Sequence, residues 1–130
     1  MEKYYSIHNL VTVKSNVGIP IPNYFSCPSV PEPDLTITQC NFNHDVPRSS
    51  KKKRKDYSVW QEEGTLFIDY ESLDLKISLS NLEGKTEIQV SDGFVTRSKK
   101  HLNTLVGLII QLKLLEKNCT FLHSGCLTYD

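Results

Sequence analysis

The side chains able to do chemistry are few and scattered: four histidines (His8, His44, His101, His123) and four cysteines (Cys27, Cys40, Cys119, Cys126). Two cysteines stand in Cys-x-x-x-His pairs, Cys40 with His44 and Cys119 with His123. On a helix that spacing sets both groups on one face. Both pairs instead fall in strand-like or turn sequence, where four residues span roughly 13 Å, too far to share a zinc ion. No Cys-x-x-Cys knuckle accompanies them, so packed or half-exposed thiols are expected and no metal site is expected. There is no glycine-rich phosphate loop, nucleophile elbow or metalloprotease helix. The sequon Asn118-Cys119-Thr120 lies at a helix-to-strand junction and is read as chance. The motifs give no complete active site.

The other chemical feature is charge. Arg48 and the run Lys51, Lys52, Lys53, Arg54, Lys55 hold six of the 15 basic residues without an acid among them, which leaves nine basic against 15 acidic residues elsewhere. Clustered cations neutralise phosphates and give salt-dependent, sequence-blind binding. Polyanion binding through residues 51–55 is therefore one reading. No aromatic residues interleave with the run as stacking platforms, so a solvated loop is the plainer one and a nucleic-acid partner is not expected.

These residues must be positioned by a domain of ordinary size. At 130 residues the chain can bury a real core, and 38% hydrophobic with 23% charged residues excludes wholesale disorder. A single domain over 1–130 is expected. The chain opens on charged Met1-Glu2-Lys3 with no apolar run behind it, so no secretory signal is read. Residues 102–115 are the most apolar stretch, but Gly107, Gln111 and Lys113 interrupt it and it is too short to span a bilayer. Four cysteines without a dense framework suit a reduced, cytoplasmic chain.

The pattern along the chain predicts mostly strands. "YYSIHNLVTV" is aromatic and β-branched, and "DLTITQCNF" alternates. Between them Pro20, Pro22, Pro28, Pro31 and Pro33 remove amide donors, which predicts an extended edge or surface crossing. Residues 43–56 read as a mobile basic loop. "YSVWQEEGTLFIDY" reads as a hairpin turning at Glu62-Glu63-Gly64. "LDLKISLS" alternates strictly, "NLEGK" turns it, and "TEIQVSDG" returns. The period then changes. Leu102, Leu105, Val106, Ile109, Leu112 and Leu115 fall at helical spacing over 98–118, with Thr96 or Ser98 as cap and Lys113 and Lys117 suiting the C-terminal end. Leu108, Ile110 and Leu114 widen that face, so this helix is expected to be covered on more than one side.

The expected fold class is α+β: a mainly antiparallel sheet of about six to eight strands packed with one principal C-terminal helix. The expected core is Ile7, Val11, Leu35, Ile37, Trp60, Phe67, Leu75, Ile77, Ile88, Val90, Leu105, Ile109, Leu112, Phe121 and Leu122.

The order of these pieces, ending in Phe121-Leu122-His123-Ser124-Gly125 and residues 126–130, resembles the region just upstream of the P-loop in the HPr kinase-like superfamily, relatives of phosphoenolpyruvate carboxykinase. The resemblance covers nearly the whole chain in element order and is concentrated in residues 120–130. It implies the N-terminal part of an ATP-dependent phosphotransferase, truncated before its Walker lysine loop. That loop and the acidic magnesium-binding segment beyond it are absent here, so no nucleotide-binding residue is expected. Phosphoryl transfer by this chain alone is not expected either. ATP and magnesium would enter only with a P-loop catalytic core, supplied in cis or in trans, and that core or another protein is the expected partner. His123 maps to the family's histidine before the P-loop, a catalytic role carried by the resemblance alone. The alternative is a stand-alone protein- or nucleic-acid-interaction module using the basic run 51–55.

Overall fold

The computed structural model describes residues 1–41, 52–53, 57–70, 75–122 and 125–128. The N-terminal segment is not one strand, as its composition suggests, but two. Strand β1, Lys3–Ile7, turns at His8 and Asn9, both at positive φ, and returns antiparallel as β2, Val11–Ser15. Asn tolerates the left-handed region because its short amide hydrogen-bonds locally. The proline-rich stretch crosses the surface through a 3-10 turn, Asn23–Phe25, and touches β1 as a two-residue strand β3, Ser26–Cys27. Strand β4, Leu35–Gln39, follows.

Two basic residues expected in a loop form strand β5, Lys52–Lys53, which pairs antiparallel with β6, Ser58–Glu62. Strand β6 turns through Glu63 and Gly64, both at positive φ, into β7, Thr65–Tyr70, as the Glu-Glu-Gly sequence predicts. Strands β8, Leu75–Ser80, and β9, Thr86–Val90, complete the meander, with Asn81 and Gly84 at positive φ in their connection.

The nine strands form one sheet in the order β3-β1-β2-β4-β9-β8-β7-β6-β5. Among its eight pairings six are antiparallel. The two at the centre, β2 with β4 and β4 with β9, are parallel. The fold is α+β with a mainly antiparallel sheet, as expected, and the two-residue strands β3 and β5 stand at the two ends of the sheet order.

Two helices follow. Helix α1, Asp92–Arg97, lies where only strand end and turn were expected, and Ser98 separates it from α2, Lys99–Glu116. Neither expected cap closes α2 with its side chain: Ser98 makes no such bond, and the hydroxyl of Thr96 donates instead to the Asp92 carbonyl within α1 (2.9 Å). A separate antiparallel hairpin, β10 (Cys119–Leu122) with β11 (Gly125–Thr128), ends the described chain.

The core lies between one face of the sheet and the helices. Register sets Ile37, Ile88 and Leu79 in one row and Val90, Ile77, Ile68 and Val59 in the next. Onto the buried part of this face pack Phe94, Leu102, Val106, Ile109, Ile110 and Leu114. At 25 cal/mol per Å² of apolar surface, each fully buried Leu, Ile or Val contributes roughly 1.5–3 kcal/mol. On the opposite face Trp60 and Phe67 stack, ring centroids 5.2 Å apart and planes within 8°. Of the expected core, Leu112 is instead exposed and Leu105 only half-buried; Leu75, Phe121 and Leu122 have side chains outside those described.

Candidate functional site

Among the described residues, those picked out by type do not converge. His123 lies outside the described residues, between the end of β10 and the start of β11. His44 lies outside them as well. His8 sits exposed in the β1–β2 turn with its ring 5.0 Å from Phe25, edge to face, and His101 is exposed on α2. Cys119 is buried, while Cys27 and Cys40 are half-buried free thiols. Among the described residues no three His, Cys, Asp or Glu side chains gather in a group able to hold a metal ion. In the basic run Lys51, Arg54 and Lys55 fall outside the described residues, and Lys52 and Lys53 take their places in β5.

Cys40 leaves β4 with its amide donating to the Val90 carbonyl (3.0 Å) and its thiol 3.8 Å from the side-chain oxygen of Gln89. Burial pushes the thiol's pKa up, and the carboxylate of Asp92 at the start of α1 adds to the rise. That is the reverse of an activated nucleophile, which needs the thiolate. An open polar depression of about 310 Å³ lies at the starts of β4 and β9, lined by Glu32, Thr36, Asn81, Lys85, Thr86 and Glu87 with Pro33. Lys85 and Glu32 form an ion pair across it, which lowers the carboxyl's pKa.

The feature most suited to a functional role is apolar. Helix α2 buries Leu102, Val106, Ile109, Ile110 and Leu114 on its core side, together with Lys113, only 1% exposed. Its outward side carries a second row: Leu108 (53% exposed), Leu112 (46%) and Leu115 (45%), with half-buried Leu105 at its margin. The intervals 3, 4 and 3 place these leucines along one stripe of the helix. Thr104 and Gln111 flank the stripe and are exposed. A single exposed leucine is ordinary on a protein surface; three in register along about two turns make a patch that water covers poorly.

The sequence pattern merged the two rows. Leu105, Leu112 and Leu115 were expected to share the core face with Leu102 and Val106. At about 100° per residue Leu105 and Leu112 lie at the margin of the arc centred on Leu102, Val106 and Ile109, and Leu108 and Leu115 lie beyond it, so spacing alone does not tell the two rows apart. Lys113 stands in the last turn of α2, as expected. Its side chain is buried, because it falls between Ile109 and Leu114 on the buried arc.

No family model matches the chain, and no curated protein or solved structure does either. Among the described residues no helix is long and apolar enough to cross a membrane.

Proposed function

We propose that this chain is an accessory sheet-and-helix module of an HPr kinase-like P-loop phosphotransferase, docking on the catalytic core, in cis or in trans, through the outward face of α2. The reading rests on one observation: the stripe Leu108, Leu112, Leu115 stands uncovered on a helix whose other side is already filled by the sheet. A core-facing helix of a free-standing domain carries its apolar residues on one side and charges on the other. Here both long sides are apolar, which fits a helix sandwiched between the sheet and something more. The sequence holds no glycine-rich loop with lysine to cradle and neutralise a triphosphate, so the module contributes packing rather than chemistry. A cytoplasmic location belongs to the same reading.

The test is direct. The chain is mixed with a separately expressed P-loop catalytic core of that superfamily and complex formation is followed by sedimentation velocity. Binding by the native chain, lost on Leu112→Glu with the fold intact by circular dichroism, supports the proposal. No binding by the native chain, or equal binding by the variant, overturns it.

A further inference from the structure

The outward leucines of α2 have a symmetry of their own. Leu105, Leu108, Leu112 and Leu115 stand 3, 4 and 3 residues apart, an order that reads the same from either end. Turned end for end about a two-fold axis across α2, the row falls on itself in four layers. Leu105 then meets Leu115 of a second copy, and Leu108 meets Leu112. A partner of different sequence asks no such symmetry of this face; a second copy requires it. Charge points the same way. Every exposed residue of α2 from Thr104 to Leu115 is uncharged: Thr104, Leu108, Gln111, Leu112 and Leu115. Like charges on two identical faces would repel, and a face shaped for a charged partner carries the complementary charge. Lys113, within that span, is buried with its Nζ bonded to the Leu82 and Gly84 carbonyls. The Thr104 hydroxyl already donates to the Lys100 carbonyl (3.0 Å), so covering it strands no donor.

We infer that α2 pairs antiparallel with α2 of a second copy, Leu105 against Leu115 and Leu108 against Leu112, and that the free chain keeps its docking face closed in this way. Antiparallel order also opposes the two helix dipoles. A catalytic core docking on the same face has to displace the copy. That regulatory consequence rests on the function proposed above, while the pairing itself rests on the leucine row alone. A seam of one helix per copy belongs with small, transient interfaces, below about 1,200 Å² in total, so association is expected at roughly 10–100 μM.

Sedimentation equilibrium of the chain alone, from well below to well above that concentration, should show monomer giving way to dimer. Leu112→Glu should raise the dissociation constant at least ten-fold. Register is read separately: Leu108→Cys and Leu112→Cys are mixed and oxidised with glutathione disulfide, and the linked peptides are identified by mass spectrometry. Links between positions 108 and 112 of different copies should exceed those between two positions 112 at least five-fold, a readout that does not depend on the glutamate variant folding. A chain that stays monomeric throughout, a Leu112→Glu variant that associates as the native chain does, or 108-to-112 links no more abundant than 112-to-112 links would overturn the inference. No catalytic core is present in these measurements, so their failure and the failure of core binding are read apart.

Discussion

The Nζ of Lys113 lies 2.6 Å from the carbonyl oxygen of Gly84, so a buried lysine of α2 closes the turn between β8 and β9. It donates also to the Leu82 carbonyl (2.7 Å) and to Glu116 one turn on (3.3 Å), which satisfies all three of its protons. The turn places Gly84 at positive φ, where its carbonyl is free to face the helix, and the lysine stem fills core space that a leucine would otherwise occupy.

Replacing Lys113 separates the stem from the charge. Lys113→Met keeps most of the volume and loses the three donors; the freed carbonyls belong to exposed residues and can take water. The expected cost is about 1–2 kcal/mol. Lys113→Ala adds a cavity and should cost about 2–4 kcal/mol. Glu116→Gln should change stability by less than about 0.5 kcal/mol, because that carboxylate is partly exposed and contributes little to a pair in water. Urea midpoints of the three variants check the order; a methionine variant as damaged as alanine would mean that the charge, not the volume, dominates.

A second tie joins the two halves of the sheet. The Asp34 carboxylate accepts from both the amide (2.8 Å) and the hydroxyl (3.0 Å) of Thr12 in β2, while the Asp34 carbonyl accepts from the Thr86 amide of β9 (2.9 Å). The one residue before β4 thus holds the two parallel pairings in register. Asp34→Ala should destabilise by about 1–3 kcal/mol. Thr12→Val removes the hydroxyl, which donates to the carboxylate and accepts from the Asp34 amide (3.2 Å); only the first contact is also lost in Asp34→Ala, so a double-mutant cycle of the two should show coupling of about 1 kcal/mol. Additive effects would show that the contact carries no energy of its own.

The meander of β6 to β9 was legible because its strands alternate and the β6–β7 and β8–β9 turns carry Gly64 and Gly84 at positive φ. The parallel placement of β4 between β2 and β9 was not. Strand alternation records which face is buried, and a half-buried strand has the same pattern whichever neighbours it takes. The β1–β2 turn was hidden because His8 and Asn9 sit between apolar residues with no glycine to mark them. Helix α2 was legible in its length, yet its two leucine rows were not separable until the sheet fixed which side is buried. For the candidate site the sequence supplied residue types without their distances, and the described histidines and thiols prove to be far from one another in role: edge, turn and core.

Opposite responses are expected along α2. Val106 is fully buried and Leu114 likewise, so Leu114→Ala should cost about 2–5 kcal/mol and Val106→Asp should abolish cooperative folding. Leu112→Glu and Leu108→Glu should leave the urea midpoint within about 0.5 kcal/mol of native, as surface changes do. They should also reduce the fluorescence of a hydrophobic dye that reports uncovered apolar surface. A large stability loss at Leu112 would mean that the leucine row packs against the chain itself.

Cys40 gives a pH-dependent test. Burial first, and the nearby Asp92 charge second, hold its thiol protonated above the ordinary thiol range. The folded state therefore binds this proton more tightly than the unfolded chain. Its contribution to stability is complete below the ordinary thiol pKa and is lost as pH rises through the folded value. Alkylation of Cys40 by iodoacetamide, followed by mass spectrometry of the Cys40 peptide, should reach half its maximal rate at a higher pH in the folded protein than in urea. Asp92→Asn should move that midpoint part of the way back, since the larger cause, burial, remains. The stability difference between the native chain and Cys40→Ser should narrow with rising pH across the same window. A folded midpoint equal to that in urea would mean that the thiol is solvated, and the packing of Gln89 and Asp92 around it would have to be revised.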